Sequence, residues 1–198
     1  HHEFALMKTN PWLENMLGLC FCDHCVAGAE KAGVDARRFK AEVAGDIEAY
    51  LDSDIDTPTD MAEAFWRADI AANGDLRRYL DYRSGVVTSL VAEIRASVRS
   101  DVNVAVIPSV ARPTAGAWYE GSDLNALART AGIVETCFYE PDAMRVKADL
   151  FDIRRRLKGA GKLRGILRPS YPDLSTQAEF MAAIEVLRDG GVDELAFY

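Results

Sequence analysis

The apolar positions along the chain change their period once, near residue 100. Before that point they recur at helical spacing. Trp12, Leu13, Met16 and Leu17 form one face after Pro11, and Gly18 closes it. Val26, Ala27, Ala29 and Ala32 form a second, stopped by Gly33. Asp35 is placed to cap a third helix through about Leu51, with Phe39, Val43, Ile47, Tyr50 and Leu51 on its face. Met61, Ala62, Phe65, Trp66 and Ile70 mark a fourth, started near Pro58 with Asp56 or Thr57 as cap and broken at Asn73-Gly74. Asp75 is the expected cap of a fifth, long helix through about Ser100.

After that point the pattern becomes short apolar runs separated by helical stretches. The runs are 102–109, 133–139, 163–168 and 194–198, and the helical patterns are 122–131, 142–158 and 175–189. Strands alternating with helices at this spacing predict βα units and a parallel sheet. Near-continuous apolar strands fit, because such a sheet is covered on both faces. The expected fold class is therefore α/β, with 1–100 a mainly helical excursion and 101–198 the βα repeats of a single domain. Four strands with two free edges suggest part of a larger closed or extended sheet.

Composition narrows the partners. A net charge of -8 disfavours nucleic acid, whose phosphates need clustered Lys and Arg. The run Arg154-Arg155-Arg156 with Lys158 lies at a predicted helix end, where it complements the helix dipole. No apolar run approaches the roughly 20 residues that cross a bilayer, so no membrane partner is expected. No signal peptide is visible, and the expected compartment is the cytoplasm. The chain begins without Met, so its native start can lie before His1, and His1-His2 read equally as a tag remnant or as native. The acidic loop Asp52 to Asp56 lacks the Gly and the twelfth-position Glu of a calcium loop. No Gly-rich phosphate loop, G-x-S-x-G elbow or H-E-x-x-H motif is present.

Three of the four cysteines crowd into six positions, Cys20-Phe21-Cys22-Asp23-His24-Cys25. Thiolates at C-x-C-x-x-C spacing can converge on one tetrahedral Zn²⁺ at about 2.3 Å per bond. A fourth ligand would have to be His24, His1, His2, Cys137 or a residue outside the chain. Inert thiols and a Cys22/Cys25 redox pair are the alternatives.

Ligands of parallel βα folds bind beyond the C-terminal strand ends. That rule selects Ser109, Arg112, Trp118, Tyr119 and Glu120 after the first strand, Tyr139 and Glu140 after the second, Arg168, Ser170, Tyr171 and Asp173 after the third, and Tyr198 after the fourth. Arginines, aromatic rings and carboxylates on one rim suit a polar, sugar-like or anionic small molecule. The alternatives are internal: Arg112 and Arg168 pairing with Glu140 and Glu120, and Asp173 or Ser175 capping a helix.

The segment Cys20-Phe-Cys-Asp-His-Cys25 and the helix after it resemble zinc-containing β-galactosidases among the (β/α)8 glycoside hydrolases. The whole chain resembles the C-terminal part of uncharacterised bacterial proteins with glycosidase-like barrels and an L-C-F-C-x-x-C signature. The resemblance implies the C-terminal half of a (β/α)8 barrel, the four strands being its fifth to eighth. It implies a structural zinc on Cys20, Cys22 and Cys25, and a catalytic acid/base at Glu3. It further implies carbohydrate as the ligand, with Arg112, Trp118, Glu120, Tyr139, Arg168 and Tyr198 lining the site. The family's nucleophile ends the seventh strand, but here that strand ends Leu167-Arg168-Pro169-Ser170, without a carboxylate. Glu140 is the substitute this chain offers for a pair that must stand about 5–5.5 Å apart in a retaining enzyme. The first half of such a barrel would come from a longer parent chain or from a second copy. A non-catalytic metabolite-binding barrel, and a thiol redox or metal-handling protein, are the competing readings.

Overall fold

The computed structural model describes residues 10–108 and 118–198, and the chain divides after Tyr82 into two compact units. The first is helical. Its elements are α1 (Pro11–Leu17), α2 (Asp23–Lys31), α3 (Ala36–Asp52), α4 (Thr59–Ala72) and the first part of α5 (Gly74–Ser97). The second contains the rest of α5 and then β1 (Val104–Val106), α6 (Leu124–Ala131), β2 (Gly132–Cys137), α7 (Ala143–Leu157), β3 (Lys162–Leu167), α8 (Gln177–Asp189) and β4 (Glu194–Phe197).

In the helical unit the expected faces are the buried ones. Trp12, Leu13 and Met16 of α1, Phe39 and Val43 of α3, Trp66 of α4 and Leu76, Tyr79 and Leu80 of α5 are all buried. Each large side chain withdrawn from water contributes about 1.5–3 kcal/mol. The Trp12 indole N–H donates to Asp69 Oδ2 at 2.7 Å, which satisfies the polar edge of a buried ring. Two caps differ from expectation. Neither Asp56 nor Thr57 caps α4, and the Thr57 hydroxyl accepts instead from the Tyr50 phenol at 3.1 Å. Asn73, not Asp75, caps α5: its Oδ1 accepts from the amides of Asp75 and Leu76 at 2.9 and 3.0 Å. Asp75 is buried and pairs with the guanidinium groups of Arg38 and Arg78. Tertiary ion pairing took Asp75 and left Asn73, an equally good capping residue, to close the helix.

The βα unit has one sheet of four parallel strands in the order β1-β2-β3-β4. Asp123, Asp142 and Thr176 cap α6, α7 and α8 with their side chains. Gly132, at φ 90, both ends α6 and begins β2, so helix turns into strand with no connecting residue. The core gathers Leu127 and Ala128 of α6, Val146, Leu150, Ile153 and Leu157 of α7 and Leu187 of α8 against Val134, Phe138, Leu163 and Leu167. Those sheet residues share one face. Alternation puts Glu135, Arg164 and Glu194 on the other.

That other face is not the continuous apolar surface expected. The register aligns Glu135 with Arg164 and Arg164 with Glu194. The Arg164 guanidinium pairs with both carboxylates, and its Nε donates to Glu194 Oε2 at 2.8 Å. The two carboxylates raise the Arg164 pKa. No helix among the described residues is long and apolar enough to cross a membrane.

Candidate functional site

The three clustered cysteines meet at the start of α2. Gly18 ends α1, and Leu19 anchors the next turn in the core. The Phe21 ring then inserts against Tyr79 at 5.0 Å and Phe39 at 5.5 Å between centroids. Tyr79 donates its hydroxyl to the Cys20 carbonyl, and Lys40 Nζ donates to the Phe21 carbonyl at 3.4 Å. With Phe21 pinned inward, Cys20 and Cys22 on either side are exposed. Cys22 is the N-cap of α2 and Cys25 lies in its first turn, so the two share one side of the helix start.

The three sulfurs lie within 4.8 Å of one another, and the Cys25 thiol donates to Cys20 Sγ at 3.5 Å. Tetrahedral zinc with bonds of about 2.3 Å requires sulfurs about 3.8 Å apart, so the donor set fits such an ion with small adjustments. The backbone N–H of Cys25, then the thiols of Cys25 and Cys20, lower the Cys22 pKa. Burial, then the thiols of Cys20 and Cys22, push Cys25 up to about 12. The group is compatible with a metal ion. His24 is not part of it, and Cys137 is buried in β2 of the other unit. His1 and His2 lie outside the described residues.

Tyr82 closes one side. Burial first, then Cys25, Cys22 and Cys20, raise its pKa. Its ring passes so close to α2 that a Cβ on Gly28 would stand 2.1 Å from the phenol oxygen. Gly28 is thus the small residue that lets Tyr82 approach the thiols, a role with no signal in the hydrophobic pattern.

A second group forms at the C-terminal strand ends. Continuing the register two residues beyond Cys137, Ile166 and Ala196 aligns Tyr139, Arg168 and Tyr198 on the same face. The Arg168 guanidinium stands 4.7 Å from the Tyr139 ring centroid, and the rings of Tyr139 and Tyr198 are 6.4 Å apart. Tyr198 is 82 % exposed and Tyr139 half-buried. Burial, then a hydrogen bond to the Cys137 thiol, push the Tyr139 pKa up to about 12. Arg168 Nε and Nη2 both face the carboxylate of Asp173, which is 2 % exposed. The internal pairings considered for these residues are replaced by others. Arg168 takes Asp173, Glu140 takes Arg145 Nε at 2.8 Å, and Thr176 rather than Asp173 or Ser175 caps α8. Glu140 is only 4 % exposed, and it raises the pKa of Arg145.

The remaining candidates separate from this row. Trp118 packs edge-on to Tyr119 at 5.5 Å and lines a different cavity, between the start of α6 and the end of α7. Asn125 Nδ2 donates to the Leu157 carbonyl at 2.7 Å and ties the α6 start to that end of α7. Glu120 is exposed in the turn just before α6. Glu3, Ser109 and Arg112 lie outside the described residues. The row Glu135, Arg164 and Glu194 escaped the sequence reading, although alternate charged residues inside strands were its signal.

Comparison with family models, with curated proteins and with solved structures gives no match. The resemblance to zinc-containing glycosidases therefore rests on the cysteine segment and the strand-helix layout alone.

Proposed function

We propose that this chain is the C-terminal part of a glycosidase-like (β/α)8 barrel that binds a carbohydrate at the C-terminal strand rim, with a structural zinc on Cys20, Cys22 and Cys25. The carrying observation is the row Tyr139, Arg168 and Tyr198, one residue just beyond the end of each of three adjacent parallel strands. An exposed tyrosine face covers the apolar side of a sugar ring, and a guanidinium held by a buried carboxylate donates to its hydroxyls. Zinc bound to the three thiolates would tie the Cys20–Cys22 loop to α2 and leave one position for a fourth donor.

The barrel part of the reading draws on the sequential strand order, the helices clustered on one face and the paired charges on the other. The first four strands would come from a longer parent chain or from a second copy. Binding is favoured over hydrolysis, because Glu140 is buried and held by Arg145. Glu3 would be the acid/base in the hydrolytic version, with Arg112 near the substrate, while Trp118 and Glu120 lie away from that rim.

The test is saturation-transfer NMR with mono- and oligosaccharides, repeated on Arg168→Gln and Tyr198→Ala. A sugar signal that both variants lose, with no turnover, supports the reading. Binding that survives both places the ligand elsewhere. Turnover abolished by Glu3→Gln would restore the hydrolase instead.

A further inference from the structure

The cavity holding Trp118 has a volume of about 500 Å³, within the range of small-molecule sites. It opens near the start of β3 rather than at its C-terminal end, because Lys158 follows α7 and precedes Lys162 by a short turn. It is thus separate from the row of Tyr139, Arg168 and Tyr198. Among the described residues, four cations line it: Arg129 from α6, and Arg155, Arg156 and Lys158 from α7 and its cap. In a chain of net charge -8 this concentration runs against the composition.

Helix-end complementation accounts for only part of the group. Arg155 and Arg156 pair with Asp152, whereas among the described residues Arg129 and Lys158 form no ion pair. The end of α7 is already served, since the Leu157 carbonyl accepts from Asn125 and from the Ala160 amide at 2.9 Å. The one carboxylate among the described lining residues, Asp123, turns its Oδ1 onto the amides of Asn125 and Ala126. Cations from two elements thus converge on one concavity beside an indole ring.

We propose that this cavity binds a phosphorylated small molecule, the phosphate held by Arg129, Arg155, Arg156 and Lys158, with Trp118 as the wall beside it. Guanidinium groups and an ammonium are the donors that phosphate oxygens select. The proposal is independent of carbohydrate binding at the strand rim.

The test titrates the full chain with inorganic pyrophosphate at constant ionic strength, following the indole N–H signals of its three tryptophans. The expected result is a Kd below about 1 mM with Trp118 perturbed and Trp12 and Trp66 unmoved. The double variant Arg129→Gln with Lys158→Asn should weaken binding at least tenfold. Asn suits position 158 because φ there is 52. The same charge loss at Lys31→Gln with Arg37→Gln should change affinity less than twofold. A silent Trp118 signal in the unmodified chain, or equal losses in the two double variants, would overturn the site in favour of diffuse screening. ADP in place of pyrophosphate distinguishes the sources. A tighter ADP complex that Trp118→Leu relaxes identifies a nucleoside phosphate, and equal affinities identify a phosphate without an aromatic base.

Discussion

Replacing Asp173 by Asn tests the ion pair that holds Arg168 in place. The side chains are nearly isosteric, so packing is kept and one charge is removed. Exposed ion pairs contribute about 0–1 kcal/mol, whereas stripping one partner from a fully buried pair costs about 3–5 kcal/mol. Asp173 is 2 % exposed, but the Arg168 side chain keeps 26 % of its surface in water. The guanidinium can therefore hydrate in part, and Asn can still accept one hydrogen bond. The expected loss falls between the limits, at about 2 kcal/mol. With a urea dependence near 2 kcal/mol per molar, that moves the midpoint of the βα unit down by about 1 M. Far-UV circular dichroism reads the whole chain. Amide exchange at Phe138 and Tyr198, whose N–H groups bond Ile166 and Leu167 across the sheet, reads the βα unit alone. A midpoint within about 0.3 M of the parent would mean that Asp173 does not hold Arg168, and the account of the rim would fail with it.

Three further outcomes follow from other parts of the chain. Cys25→Ser should weaken zinc binding at least a hundredfold in competition with a chromophoric chelator, and parent affinity should fall as pH is lowered, because protons compete for the thiolates. A serine variant that binds as tightly as the parent excludes Cys25 as a ligand. Asn73→Ala should cost about 1 kcal/mol in thermal unfolding through loss of the α5 cap, and no change would mean that water or Asp75 replaces it. Burial first, then Glu42 and Asp69, raise the Asp46 pKa above its ordinary 3.8. The folded state then binds its proton more tightly, so ionised Asp46 costs stability above that window and nothing below it. Asp46→Asn should accordingly raise the melting temperature at pH 7 and leave it unchanged at pH 3. A gain of equal size at both values would trace the effect to packing.

Most of the element plan was legible as periodicity. The long helical faces and the alternation of apolar runs with helical stretches each have one dominant period, and burial of one face enforces it. The cysteine group was legible too, because its members are close in sequence and a helix start brings them together. Caps at Asn73 and Thr176 were less legible, since Asp75, Asp173 and Ser175 are equally good cappers in isolation. Which of them closes a helix depended on which carboxylate an arginine elsewhere had already taken.

What the chain determined by itself was local: where helices and strands form, which faces are apolar, and that three thiols lie within reach of one ion. What only the tertiary structure decided was partnership between residues far apart in sequence. Register put Tyr139, Arg168 and Tyr198 in one row and Glu135, Arg164 and Glu194 in another. A bond from Asn125 to Leu157 tied the start of α6 to the end of α7, and Trp118 lines a cavity with the cations of α7 instead of joining the strand rim. Gly28 beside Tyr82 belongs to the same class. Periodicity reports only which face of an element is buried, whereas pairing between elements depends on offsets of single residues that leave the hydrophobic pattern unchanged.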